Sequence, residues 1–410
     1  MKHRSLLLAA ALLASPVAGQ AQDKPAGPTI TPYGFALLHM FFMDGTFASK
    51  DNAYQVTAAG PNDSTGSYQF SVRGSRVGLR VGNLDTGFLA ATGSAVLEFD
   101  VQGGYTGTAT TARWGSALMR LRLANMKLDW NTSYGGWQLL AGQDFGLVGP
   151  VFANSLTWGT DPIFVRAGKI YRRTPQVRAT FNQTYDMVTV NVAAAVLATS
   201  EGENISAAGG NFDFGPGNRS RKPDLEGRLM VTVKPNADFN ATANVSYHAH
   251  TRRYMDGANP AKDISASILN LGLDATLTKY AQVKGEYYTA EGAEDAYAGL
   301  VPGIVKPAPA ATVAGWKAAK STGYWAQLTL KPIPEIWVVG GLGTEAADSS
   351  TKTYLAAATW YKNSQKHVGV ICNASKNLAF SAEVAMVESS YLNATTQKAN
   401  QYSVSTKMTF

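Results

Sequence analysis

The chain has 410 residues, of which only 16% are charged, against about 25% in ordinary soluble domains. Its formal net charge is +7, but the basic residues are dispersed rather than gathered, which argues against a nucleic-acid-binding patch. A single cysteine, Cys372, excludes an intramolecular disulfide framework, and between Ile371 and Asn373 it reads as an inert small side chain.

At the amino end, Lys2, His3 and Arg4 precede an apolar run from Leu6 to Leu13, and Gly19 and Ala21 have the spacing of a cleavage site after Ala21. This is the layout of a secretory signal peptide, with an apolar run too short to span a bilayer. The expected organisation is a signal at 1–21, a short Pro-rich periplasmic segment at 22–31 and one domain at 32–410. Losing Lys2 and Arg4 with the signal lowers the formal charge from +7 to +5. No later apolar run approaches the ~18 residues of a membrane helix.

The remainder of the chain alternates instead, beginning with a strand expected over about Tyr33 to Met43. Leu97, Phe99 and Val101 alternate with Glu98 and Asp100; Val188, Val190 and Val192 with Thr189 and Asn191; Phe239, Val245 and Tyr247 with Asn244, Ser246 and His248; Leu269, Leu271 and Leu273 with Asn270 and Asp274. The last stretch puts Tyr402, Val404, Thr406, Met408 and Phe410 on one parity and Gln401, Ser403, Ser405, Lys407 and Thr409 on the other. An apolar/polar dyad over ~10 residues, repeated, is the signature of transmembrane β-strands. Two segments lose phase midway. A β-bulge near Gly74–Ser75 and another near Ala124–Asn125 would restore it, because one extra residue flips every subsequent face.

Short connectors expected at 82–87, 131–136, 182–186, 234–238, 278–280 and 331–335 alternate with long ones at 44–67, 102–116, 146–170, 199–222, 251–263 and 291–321. That asymmetry is typical of outer-membrane barrels, and Trp130, Trp137, Phe181, Phe239, Trp337 and Phe410 fall at the short-turn end as an interfacial girdle would. The predicted fold is all-β: a transmembrane antiparallel barrel of about 16 strands. Eighteen result if Thr353–Tyr361 is a strand in addition to His367–Ala374. A barrel of that size is wide enough for an aqueous channel.

Several segments then resemble the Gram-negative porin superfamily. Ser75-Arg76-Val77-Gly78-Leu79-Arg80 looks like its S-R-L-G-F strand, and Leu97-Glu98-Phe99-Asp100 like its E-x-D-F strand. Arg120-Leu121-Arg122-Leu123-Ala124 resembles R-L-R-H-A, with Leu123 in place of His. Leu139-Leu140-Ala141-Gly142-Gln143-Asp144-Phe145 is similar to the stretch before the constriction loop, and Arg173-Thr174-Pro175-Gln176-Val177-Arg178 to the strand after it. The combination is most similar to the trimeric DcaP-like porins, whose members pass dicarboxylates and related organic anions. The segment Asp23 to Thr31 departs from that type in lacking coiled-coil heptads. The resemblance implies a homotrimer in the outer membrane, assembled by the barrel assembly machinery through the terminal Phe410, with small solutes and ions as partners and no cofactor.

Arg73, Arg76, Arg80, Arg120, Arg122, Arg172 or Arg173, Arg178 and Arg228 fall on lumen-facing positions, opposed by Glu98, Asp100, Asp144, Asp224 and Glu226. Guanidinium groups hold their charge and suit carboxylates and phosphates, and a cluster of them focuses a positive field. The competing reading is that each arginine pairs with a carboxylate and braces the wall. Residues 146–170, with Phe152, Trp158, Asp161, Phe164, Arg166 and Lys169, form the candidate constriction loop, either folded inward or simply extracellular. Asn244, Ser246 and His248 share a face like the catalytic trio of outer-membrane phospholipase, but on the polar side of their strand. His248 and His250, two His at i,i+2 without a nearby carboxylate or Cys, make a weak metal pair. The function read from the sequence is passive diffusion with a mild anion preference. A substrate-specific organic-acid channel is the alternative within transport, and a plugged barrel or a lipase lies outside it.

Overall fold

Alternation becomes a closed cylinder. A computed structural model describes residues 27–49, 51–57, 66–103, 118–157, 161–199, 204–205, 212–213, 216–256, 259–293, 297–307, 312–357 and 359–410. The signal segment 1–21 and Trp158 lie outside the described residues. In chain order the barrel strands are β1 (Thr29–Met43), β2 (in two pieces, Ser67–Ser71 and Arg76–Asp85), β3 (Thr92–Asp100), β4 (Arg120–Thr132), β5 (Gly135–Phe145), β6 (Arg173–Tyr185), β7 (Val188–Leu197) and β8 (Asp224–Val233). They continue as β9 (Asn240–Asp256), β10 (Asn259–Thr278), β11 (Ala281–Glu291), β12 (Lys320–Ile333), β13 (Ile336–Ala347), β14 (Trp360–Asn373), β15 (Leu378–Tyr391) and β16 (Gln397–Thr409). Each pairs antiparallel with the next, and β1 pairs with β16 from Phe35↔Thr409 to Met43↔Gln401. Phe410 N–H donates to Gly34 O at 3.1 Å and Gly34 N–H to Phe410 O at 3.2 Å, continuing the seam. The barrel therefore has sixteen strands, and 353–357 are connector rather than a further strand.

The barrel is inside out relative to a water-soluble protein. Val404, Met408 and Leu271 are 47%, 60% and 46% exposed, while Gln401 and Ser405 on the opposite parity are 1% and 0% exposed. A continuous belt of large apolar side chains on the outer face is unfavourable in water and favourable in lipid. At the short-turn end Trp130, Trp137 and Phe181 stand in register across three strands, with Trp137 and Phe181 centroids 4.7 Å apart. No helix among the described residues is long and apolar enough to cross a membrane.

Both phase breaks are bulges. Phe35↔Arg76 and His39↔Ser71 leave four residues of β2, 72–75, opposite three of β1, the position the sequence indicates. On β4 the break lies earlier than the expected Ala124–Asn125. Glu98 pairs with Leu123 and Phe99 with Leu121, so Arg122 is the extra residue. Its side chain turns inward to Glu98 and Asp100, and this double ion pair fixes the bulge there.

One connector differs from expectation. Residues 251–263, expected as a long loop, continue β9 and β10 as a paired ladder up to Asp256↔Asn259. Arg253 and Asp263 stand opposite each other there, with Nε to Oδ1 at 2.7 Å. Strand β1 likewise begins at Thr29, ahead of the expected Tyr33.

Candidate pore constriction

The third long connector, 146–172, runs inside the barrel rather than away from it. It has almost no regular structure, so its backbone N–H groups need partners from the wall. Glu226 on β8 accepts from Leu147 N–H at 2.5 Å, and Glu286 on β11 from Val151 N–H at 2.9 Å. Gln327 on β12 accepts from Asn154 N–H at 2.7 Å, and Gln365 on β14 from Phe164 N–H at 2.8 Å. Glu383 on β15 accepts from Leu156 and Thr157 N–H at 2.9 and 3.2 Å and from Ser155 Oγ at 2.5 Å. The loop thus crosses the lumen and docks on β11–β15. Close approach needs glycine: a Cβ on Gly343 would collide with Ala167 O, and one on Gly168 with Tyr324 O. Residues 51–56 add to the same side, with Asn363 Nδ2 donating to Tyr54 O and Gln365 Nε2 to Ala53 O.

The opposite wall, β2–β6, carries most of the arginines, and Arg228 stands on β8. Arg120 grips Asp100 with two bonds, at 3.1 and 2.7 Å, and Arg122 reaches Glu98 at 2.7 Å and Asp100 at 2.9 Å. Arg73 pairs with Asp51, and Arg178 with Asp144 at 3.1 Å. For these the bracing reading holds. Arg80 instead covers the Tyr33 ring at 4.0 Å, and Arg228 reaches Asn191 Oδ1 at 3.4 Å. Arg173 lies against the Phe145 and Tyr171 rings, with centroids at 5.6 and 5.9 Å. Among the described residues no ion pair joins any of these last three to a carboxylate. Arg76 sits over Phe35 at 5.2 Å, within electrostatic reach of Arg122 and Arg173, and Lys407 is a further cation beside it. Arg76, Arg120, Arg122 and Arg173 gather around the carboxylates Glu98 and Asp100, and like charges act on Arg76 and Arg173 from within the group.

Facing them, Phe152 packs on Phe145 and Tyr171 with centroids at 5.6 and 6.1 Å. Asp161 accepts a hydrogen bond from Tyr171 Oη and feels Arg173 and Arg166. Arg166 donates to Gln55 Oε1 at 2.6 Å and lies over Tyr54, toward the first long connector. Lys169 is buried on Glu286 at 2.8 Å, holding the loop to the wall. The sequence reading missed the docking carboxylates Glu286 and Glu383. Each is the one acidic residue on the inward parity of its strand, but nothing nearby in sequence names its partner.

Burial pushes the Asp161 carboxyl above the usual carboxylate range, an effect that Tyr171 and Arg173 only partly offset. A raised acid pKa means a proton is taken up earlier as pH falls, which removes a negative charge from beside Arg173. Acidification from pH 7 toward about pH 4 is therefore expected to move the reversal potential in a salt gradient toward anions. Asp161→Asn should show the acid-like value already at neutral pH; equal pH profiles for variant and wild type would exclude Asp161 as the titrating group.

The trio Asn244, Ser246 and His248 does not form a catalytic relay. Ser246 Oγ donates to Asn270 Oδ1 at 3.3 Å, whereas the His248 ring nitrogens meet His250 and Tyr297. The view that His248 and His250 lack a nearby carboxylate is corrected by the register: Glu226 stands directly opposite His248, and Asp224 is two residues away on the same face of β8.

A sixteen-stranded antiparallel barrel with short turns at one end and its third long loop folded into the lumen is the fold of the Gram-negative outer-membrane porins. The chain is similar to the outer membrane channel DcaP of Acinetobacter baumannii (TM-score 0.67, 16% identity, 96% of this chain and 100% of that one). It is also similar to an anion-selective porin from Comamonas acidovorans (TM-score 0.54, 13% identity, 93% and 100%). A third likeness is to the trimer form of OmpT, an outer membrane protein of Vibrio cholerae (TM-score 0.51, 12% identity, 94% and 100%). No protein-family model matches the chain, and no curated protein does.

Proposed function

We propose that the protein is an outer-membrane porin through which small hydrophilic solutes diffuse passively, with a preference for anions. The observation that carries this reading is the asymmetry of the lumen. One side is filled by the docked loop. The other presents inward-facing guanidinium groups that solvent still reaches, Arg80 being exposed and Arg76, Arg173 and Arg228 half-buried. Clustered positive groups held within low-dielectric walls concentrate anions at the narrowest point. Within that reading Arg76, Arg80, Arg173 and Arg228 set selectivity. Arg73, Arg120, Arg122 and Arg178 hold the wall, with Glu98, Asp100 and Asp144 as counterions. Phe152, Asp161 and Arg166 shape the far rim.

The likeness to a porin named as anion-selective supports the sign of the preference, and the likeness to DcaP supports organic acids as the finer substrate class. The trimer form of the Vibrio protein supports a homotrimer. Export through 1–21, the outer membrane as destination, recognition of Phe410 by the assembly machinery, and the absence of enzymatic activity complete the proposal. Reconstitution of refolded protein in a planar bilayer tests it. The expected result is stable conductance with a reversal potential on the anion side in a salt gradient. A barrel that inserts but carries no steady current would point to a plugged structural protein instead.

A further inference from the structure

Away from the arginine wall, at the base of the docked loop, the chain gathers groups that the channel reading does not use. His248 and His250 lie on one face of β9, and their rings meet with Nε2 of the first 2.6 Å from Nδ1 of the second. Asp224 Oδ2 of β8 comes within 3.9 Å of His248 Nε2, and one ligand atom from each of Asp224, His248 and His250 falls within 4.8 Å of the others. All three residues are buried.

We propose that Asp224, His248 and His250 form a binding site for a borderline divalent metal ion of the Zn²⁺ class, one that ties two loops to the barrel wall. Two imidazoles and a carboxylate are a ligand set for such ions, with a fourth position left to solvent. Tetrahedral ligands at ~2.1 Å from the ion lie ~3.4 Å apart, so the histidine nitrogens part by less than ~1 Å and the carboxylate closes in.

The surroundings supply what an imidazole ligand needs. His248 turns its other nitrogen, Nδ1, to Tyr297 Oη at 3.0 Å and to Glu226 Oε1 at 3.4 Å. This carboxylate–histidine arrangement orients the ring and leaves Nε2 for the ion. Arg172 occupies Asp224 Oδ2 at 2.7 Å, whereas Asp224 Oδ1 is buried with no hydrogen-bond partner among the described residues. Buried carboxylate oxygens are ordinarily satisfied, so this one is left with a lone pair to offer an ion.

Asp224 and Glu226 share Arg172, Arg228 acts on Glu226 as well, and the two imidazoles are neutral as ligands. The site also sits where it can act on structure. Arg172 ends the docked loop, and Tyr297 belongs to the connector after β11; the Arg172 guanidinium covers the Tyr297 ring at 4.7 Å. An ion at His248 would hold β8, β9 and both loops as one clasp. None of the three ligands belongs to the set of arginines assigned to selectivity, although Arg228 acts on Glu226 beside the site.

The test is titration of the full refolded protein with Co²⁺, which reports its own coordination in visible absorption. One saturable equivalent per chain is expected, displaced by Zn²⁺, with at least a tenfold loss of affinity in His250→Ala and in Asp224→Asn. His39→Ala, remote from the site, should bind as the wild type does. Should His250→Ala fail to fold, the milder His250→Gln carries the same expectation. A featureless spectrum with no saturable uptake, or uptake indifferent to His250 and Asp224, overturns the site, and the histidine pair then shares a proton rather than an ion. Conductance plays no part in this readout, so failure of the metal site and failure of the channel reading are separable.

Discussion

Replacing Arg76 and Arg173 together with glutamine is expected to lower the anion-to-cation permeability ratio about tenfold. Two positive charges ~10 Å from a permeating ion, at an effective dielectric constant of 20–40, each change its energy by about 1 kcal/mol. Their sum exceeds the 1.4 kcal/mol that corresponds to a factor of ten. The choice of residues rests on the pairing described above. Arg173 lies against aromatic faces, with no ion pair to a carboxylate among the described residues, and Arg76 stands beside Arg122 and Arg173 over the Phe35 ring. Glutamine keeps length and a donor but no charge, so the wall should close as before. The contrast is Arg122→Gln, which breaks a buried double ion pair at the β4 bulge and leaves Glu98 and Asp100 exposed to each other. Removing one partner of such a pair costs about 3–5 kcal/mol, and that variant should lose thermal stability first. Reversal potentials in a salt gradient, measured on variants with wild-type heat resistance, decide the matter. A double variant as anion-preferring as the parent would reduce the arginine wall to bracing.

The strands were legible because lipid imposes a rule on every outward position. Val404, Met408 and Leu271 had to alternate with polar partners, and even the β2 bulge could be placed from the phase of Phe70 and Val77. Legibility ends where that rule ends. Beyond the membrane both faces of a ladder are polar, so the extension of β9 and β10 past Thr251 carried no apolar rhythm, although its backbone pairing and the Arg253–Asp263 bridge are intact. The β4 bulge was misplaced for a related reason. Counting apolar phase put it between Leu123 and Met126, while the position was set by what Arg122 reaches. Loop docking was hidden more deeply. Glu286 and Glu383 sit far along the chain from the loop they hold, and only closure of the cylinder brings them to it. The Asp224–Glu226 and His248–His250 pairs are an intermediate case. Both are i,i+2 doublets on strands joined by one short turn, and the register of that hairpin alone places them face to face.

Glu383→Ala is the substitution expected to change the pore most without touching the arginines. This one carboxylate accepts from two backbone N–H groups, Leu156 and Thr157, and from Ser155 Oγ, with His367 Nε2 at 2.8 Å behind it. Alanine leaves two buried N–H donors without an acceptor, at about 1–3 kcal/mol each, and removes the neighbour that orients His367. The farther contacts at Glu286 and Gln365 remain, so the base of the loop stays docked while the stretch around Ser155 detaches and samples the lumen. Single-channel recordings should then show a larger mean conductance with frequent brief closures, and the barrel should unfold at a lower temperature. Glu383→Gln retains an acceptor oxygen and should fall between the two. If Glu383→Ala conducts with wild-type amplitude and wild-type noise, the loop does not set the width of the pore, and the narrowest point must be sought among the arginines alone.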